Sequence, residues 1–187
     1  MNQKIFYLGL ALSIVLIFEY SCMRNSSLEE RISELRKNRI YINTENMKKV
    51  IGHFDKKNLN QSRYIYVMYV DSVSCSLCTL KEMNKWVQYM EEMSSYNIHF
   101  MPVFVPMKRD LPEFIYRVKA MDVYIDSLGC LEKDNIALGA LGNLNTFMID
   151  KEGQVVIVGN PTRNHSIKEL VRKYIEKQNE KEYEKQR

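Results

Sequence analysis

Seven consecutive residues, Tyr64 to Val70 (YIYVMYV), carry no charge, no Gly and no Pro, and each is aromatic, β-branched or Met. A run this short has the length of a strand and no polar face to offer water. It predicts a strand covered on both sides within a mostly parallel sheet. Such a sheet needs helices on both faces, so the chain around it must alternate strands with amphipathic helices.

The chain does so. Residues 71–74 break the run, and Cys75-Ser76-Leu77-Cys78 follows. Leu77, Leu80, Met83, Val87, Met90 and Met93 then recur every three or four residues with Trp86 beside them, which predicts a helix with one apolar face. Ser94 and Ser95 end that helix, and Ile98 to Val105 (IHFMPVFV) predicts a second interior strand. Asp110 as N-cap, Pro112 in the first turn and Glu113 introduce a second helix carrying Leu111, Phe114, Ile115 and Val118. Val123 to Ile125 fits a short strand, and a Gly-containing loop is expected from there to Asn143. Thr146 to Ile149 and Val155 to Val158 flank the turn Asp150 to Gly153, which makes a β-hairpin. Beyond the Gly159-Asn160-Pro161 turn, Ser166 and Glu169 read as the capping box of a helix carrying Ile167, Leu170, Val171, Tyr174 and Ile175. Residues 176–187 read as a frayed, charged helical tail. This order specifies an α/β fold: a central mixed sheet, helices on both faces, and a terminal hairpin followed by a helix.

Upstream, residues 23–60 are polar and mixed. Ser27 to Lys37 fits a short helix with Leu28, Ile32 and Leu35 on one side, and Arg39 to Asn43 (RIYIN) alternates like a short first strand. Ahead of them Ile5 to Phe18 is continuously apolar, shorter than the ~20 residues a spanning helix takes and suited to the core of an export signal. Lys4 precedes it, and Ser21 and Cys22 follow. The segment resembles a bacterial lipoprotein signal in which Cys22 becomes the lipid-carrying first residue of the mature chain, although Glu19 stands where such signals usually carry Leu. An uncleaved anchor, or ordinary cleavage nearby, is the alternative. The expected organisation is a signal peptide over 1–21, a tether and N-terminal extension over 22–60, one domain over 61–176 and a charged tail over 177–187. The expected location is the cell envelope, on the periplasmic side, held at the membrane. Lys and Arg number 27 against 23 Asp and Glu, interspersed, which is a solvated surface and not a nucleic-acid footprint.

A CxxC placed after a buried strand and at a helix start is a specific arrangement. The spacing is one helical turn, so two sulfurs can meet across it. Unpaired N–H groups and the dipole at a helix start favour a thiolate, lowering a thiol pKa from ~8.5 toward neutrality. The thiolate is the form that attacks a disulfide. Cys75 is therefore expected as the exposed nucleophile and Cys78 as the more buried resolving thiol. A static disulfide is the structural alternative. A metal site would need a second Cys or His pair at ligand spacing, whereas His53, His99 and His165 are scattered and Cys130 is alone. No metal or other cofactor is expected.

Residues Tyr64 to Tyr174, about 110 positions and the size of one domain, resemble the thioredoxin-like domains of anchored bacterial envelope thiol–disulfide oxidoreductases. These are proteins of the TlpA and ResA type, common as lipoproteins in Bacteroidetes. The resemblance lies in VDSVSCSLC at 70–78, the helix through Trp86, and NTFMIDKEGQVVIVGNP at 145–161. It implies a thioredoxin fold and thiol–disulfide exchange with exported proteins, as a reductant, with electrons from an upstream donor. It implies Cys75 as nucleophile, Cys78 as resolver, and substrate docking at Leu144 and Asn145. The family carries a cis-proline where Leu144 stands; a non-proline cis bond costs ~2.5–4 kcal/mol, so a trans peptide is expected there. The family's buried Asp aligns with Tyr69. Met83 replaces a helix proline found in many relatives, and Glu82 is one position later than the acidic residue of some cytochrome-maturation members.

Three functions remain open on these residues. The first is thiol–disulfide exchange. The second is a non-catalytic binding or scaffold lipoprotein with a structural CxxC, which Leu144 favours. The third is a peroxidase, which would want Thr at the position of Ser72 and a nearby Pro. Asp71 reads as a solvated strand end, with assistance to proton transfer at Cys78 the alternative; Cys130 reads as a half-buried unreactive thiol, with a third redox thiol or pairing with another chain the alternatives; Met83, Met90, Met93 and Met101 read as core filling.

Overall fold

The structure is a computed structural model that describes residues 28–52, 59–71, 79, 82–107, 111–117, 121–139, 145–185 and 187. The apolar leader, Cys22, Cys75, Cys78, Leu80, Asp110, Val118 and Leu144 lie outside the described residues.

The elements in chain order are α1 (Leu28–Lys37), β1 (Lys48–Val50), a 3-10 turn (Leu59–Gln61), β2 (Tyr64–Val70), α2 (Met83–Glu92) and β3 (Ile98–Phe104). They continue with α3 (Leu111–Arg117), β4 (Val123–Ile125), α4 (Cys130–Asp134), α5 (Ile136–Gly139), β5 (Thr146–Asp150), β6 (Val155–Val158) and α6 (His165–Lys185). Six strands form one sheet in the order β1-β4-β3-β2-β5-β6. β2, β3 and β4 run parallel, while β5 is antiparallel to β2, β6 to β5, and β1 to β4. A parallel strand–helix–strand unit joined to an antiparallel hairpin and a closing helix is the thioredoxin fold.

The uniform apolarity of β2 has the expected cause. Tyr64, Tyr66, Met68 and Val70 pack on one face with Met83, Trp86, Met90, Val171 and Ile175 from α2 and α6. Val67 and Tyr69 pack on the other with Leu35, Leu131 and Leu138 from α1, α4 and α5. Period-2 geometry sends alternate side chains to opposite faces, so a doubly covered strand must be apolar at every position. On the first face Tyr66, Trp86, Tyr89 and Phe100 form one aromatic group, with ring centroids 5.6–6.4 Å apart. Trp86 is central to the helix face, and Tyr89 is buried where the spacing pointed to the half-buried Val87. Met83, Met90, Met93 and Met101 are buried, as core-filling residues would be.

Pro102 sits inside β3 without cost to the ladder. Val105 N–H bonds Val70 C=O on the β2 side and Phe104 C=O accepts from Asp126 on the other, so alternation turns the Pro102 nitrogen toward β4. β4 meets β3 only at Val103 and Phe104. A residue with no N–H is tolerated where no partner asks for one.

Four local expectations change. RIYIN is not a strand: it supplies an isolated bridge, Arg39 to Gln154, and the edge strand is the polar Lys48–Val50. The expected loop to Asn143 contains two short helices. Buried Asp126 sets the first, accepting the Cys130 and Leu131 N–H groups at 2.8 Å each. The cap of α6 is Asn164, whose Oδ1 accepts from Ser166 N–H at 2.9 Å and Ile167 N–H at 3.3 Å. Glu169 pairs with Arg172 and closes no capping box with Ser166. The charged tail is helical through Lys185 and is held by Arg63.

Candidate functional site

The carboxyl ends of parallel strands are where open α/β sheets place their reactive groups, because the loops there face one common crevice. β2 ends at Val70, Asp71 follows it, and after Cys75 and Cys78 in the sequence comes the turn in which Glu82 N–H bonds Thr79 C=O at 3.0 Å. α2 follows from Met83.

Two neighbouring segments frame this strand end. Val105 N–H donates to Val70 C=O at 2.8 Å, so β3 finishes beside it. Tyr69 N–H donates to Asn145 C=O at 2.8 Å, and Met68 pairs with Thr146, so β5 begins there. Of the five residues assigned a site role from sequence, Cys22, Cys75, Cys78, Leu144 and Asn145, only Asn145 is described, and Asp71, weighed beside them, is described as well. The structure places both at the same strand end. Asp71 is half-buried, not fully solvated.

They share a cavity of about 60 Å³. Its polar wall is Tyr69, Asp71, Glu132 and Asn145; Leu138 and Phe147 form the apolar part. Tyr69 is 6% exposed and its hydroxyl donates to Glu132 Oε2 at 3.0 Å. Burial above all, then the hydrogen bond to Glu132 and the nearby Glu132, Asp126 and Asp71 charges, pushes the Tyr69 hydroxyl well above the usual tyrosine range. Tyr69 therefore stays a neutral donor across physiological pH. Glu132 had no signal in the sequence: it lies 63 positions from Tyr69 and inside a stretch read as loop.

On the opposite face Tyr66 donates to Gly159 C=O at 2.9 Å, anchoring the hairpin exit under α2. Glu82, at the N-cap of α2, accepts from Arg163 Nε at 2.9 Å and Nη2 at 2.6 Å. The residue just before α2 is thus engaged with the β6–α6 turn. Cys130 is a free, half-buried thiol opening α4, its N–H committed to Asp126. Among the described residues, no group of three His, Cys, Asp or Glu side chains is arranged to hold a metal ion. No described helix is long and apolar enough to cross a membrane.

No family model matches the chain, and no curated protein matches it. Similar solved structures include a protein described as a thiol:disulfide interchange protein DsbE from Chlorobium tepidum, at 15% identity, covering 72% of this chain and 93% of that one, with a TM-score of 0.45. The thioredoxin domain of a thiol-disulfide oxidoreductase from Bacteroides vulgatus matches at 16% identity over 72% of this chain and 99% of that one, with a TM-score of 0.43. AhpC of Mycobacterium tuberculosis matches at 11% identity over 65% of this chain and 83% of that one, with a TM-score of 0.37. At these values the likeness is one of chain path and assigns no activity.

Proposed function

We propose that the chain carries out thiol–disulfide exchange through Cys75 and Cys78, as a thioredoxin-like envelope oxidoreductase. One observation carries the reading: in the sequence the CxxC falls between Val70, where the parallel strand β2 ends, and Met83, where α2 begins. The Cys75 thiolate attacks a disulfide of an exported protein and forms a mixed disulfide. Cys78 then attacks Cys75, closing the intramolecular bond and releasing the partner reduced, and an upstream dithiol donor restores the pair. Leu144 and Asn145 form the docking edge, the domain spans 61–176, and Cys22 carries the lipid that tethers it to the membrane on the periplasmic side.

Insulin or model-peptide reduction, together with the Cys75–Cys78 reduction potential, tests the exchange. Wild type is expected to turn over, Cys75→Ser to be inactive, and Cys78→Ser to accumulate the mixed disulfide. A potential below about −300 mV, the range of structural disulfides, with no turnover overturns the enzyme reading. It leaves the scaffold alternative that Leu144, in place of proline, favours. Retention of Cys22→Ser in the detergent phase of a partition assay would remove the lipid attachment.

A further inference from the structure

β2 is fully covered at every position but Ile65, which is only half-buried. Ile65 lies on the same face as Val67 and Tyr69, at the Tyr64 end of the strand, where the cover supplied by α1, α4 and α5 is incomplete. Beside it opens a groove of about 360 Å³, within the ~300–1,000 Å³ of sites that hold ligands. Ile65 and Ile149, paired in register across β2 and β5, form its floor, and Ile42 and Leu59 add apolar wall. Asp150, Lys151 and Glu152 stand at its rim, two carboxylates against one ammonium.

The wall that carries Ile42 is an unfinished strand. Arg39 bridges Gln154, and Ile40 N–H donates to Gly153 C=O at 2.8 Å. Asn135 holds the next residue, its Oδ1 accepting Tyr41 N–H at 2.7 Å and its Nδ2 donating to Tyr41 C=O at 2.8 Å. Ile40 is buried, Tyr41 exposed and Ile42 half-buried, the in-and-out alternation of a strand. There the pairing stops: among the described residues no hydrogen bond engages the N–H or C=O of Ile42. Alternation turns these two groups away from Asn135, to the side on which Ile40 meets Gly153, and Gly153 lines the groove.

An apolar floor alone suits many solutes. An unpaired peptide edge beside it selects polypeptide, since an added strand draws affinity from main-chain bonds and specificity from a pocket for alternate side chains. Three consecutive residues fix the segment before Ile42, so the edge is presented without further ordering. We propose that this groove binds an extended segment of another protein, which pairs with Ile42 and lays an aliphatic side chain over Ile65 and Ile149. Side chains two positions apart share a strand face, so a Lys or Arg at that spacing meets the Asp150 and Glu152 carboxylates. The site makes no use of the cysteine pair.

The test uses the full chain and the capped peptide acetyl-Lys-Thr-Ile-Thr-Lys-amide, followed by titration calorimetry and by amide shift mapping. Saturable binding is expected, with the largest shifts at Ile42 and Ile65. Successive N–H groups of a strand face opposite sides. N-methylation of the central Ile, or of the two Thr residues, should therefore abolish binding in one peptide and spare it in the other. Ile42→Pro deletes one N–H and should weaken binding about tenfold. Glu152→Lys should weaken it about threefold and reduce its salt dependence. Circular dichroism establishes that both variants are folded, and the methylated peptides carry the test on unaltered protein. Absence of saturable binding up to about 1 mM, an equal effect of the two methylation patterns, or shifts confined to residues away from Ile65 overturns the proposal. So does a concentration-dependent dimer that protects the Ile42 and Ile65 amides, which makes a second copy the occupant.

Discussion

Arg63 grips Glu182 with both ends of its guanidinium, Nη1 donating to Oε2 at 2.9 Å and Nη2 pairing with Oε1 at 2.8 Å, while Nη1 also donates to Asn179 Oδ1 at 2.8 Å. The residue just before β2 therefore holds the last turns of a 21-residue helix whose polar end buries little. Arg63→Ala is expected to lower global stability by at most about 1 kcal/mol, since Glu182 is largely exposed. Protection of the backbone amides of residues 179–185 from hydrogen exchange should nonetheless fall to the level of an unpacked helix end. Unchanged protection there would show that α6 holds itself.

At the other end of the same helix, the cap separates two neighbouring side chains. Asn164→Ala removes the acceptor of two N–H groups and is expected to cost about 1 kcal/mol in urea unfolding. Ser166→Ala should stay within about 0.5 kcal/mol, the ordinary range for a surface change. The reverse ranking would return the cap to Ser166.

Gly52 lies against backbone. A Cβ there would stand 2.3 Å from the Met121 carbonyl carbon and 2.5 Å from its oxygen. The approach is held by buried Asp122, which accepts Gly52 N–H at 2.9 Å and pairs with Lys49 at 2.6 Å. Gly52→Ala is expected to cost about 1–3 kcal/mol, as overpacking does, and to release β1 from β4. The readout is exchange of the Lys48–Val50 amides together with the unfolding midpoint.

Burial raises the Tyr66, Tyr69 and Tyr89 hydroxyls above the ordinary value of 10.0. A group whose folded pKa is raised contributes fully below its unfolded pKa, and that contribution is lost as pH rises through the folded one. Stability should therefore be flat with respect to these groups below about pH 9 and fall above pH 10, by about 1.4 kcal/mol per pH unit for each tyrosine held neutral. Absorbance at 295 nm should show these three ionising only together with unfolding. Early, independent ionisation of all three would contradict their burial.

The sheet was legible because its residues have one environment. β2 and β3 are covered on both faces and read as unbroken apolar runs, and the hairpin announces itself through Asp150 to Gly153. What escaped depends on partners distant in the chain. Lys48–Val50 is a strand because Tyr124 and its neighbours offer an edge, not because Lys-Lys-Val favours extension. α4 exists because a carboxylate four residues upstream takes its first N–H groups, and five residues show no periodicity. The same holds at the carboxyl end of β2. The motif was visible as four letters, whereas Tyr69 and Glu132 meet across 63 positions that nothing local relates.

The hairpin turn has a consequence for anyone choosing a place to splice a tag or loop into this chain. Residues 151–153 look like the natural insertion point, exposed at Lys151 and Glu152 between two strands. Yet Gly153, at φ 79°, accepts Ile40 N–H at 2.8 Å and leaves no room for a side chain beneath the Ile40 carbonyl. Gln154 bridges Arg39 and bonds the Arg36 carbonyl. The turn is the seat on which the segment after α1 rests, so lengthening it would unseat Leu35 and Ile40 from the core, and a graft is better tolerated elsewhere.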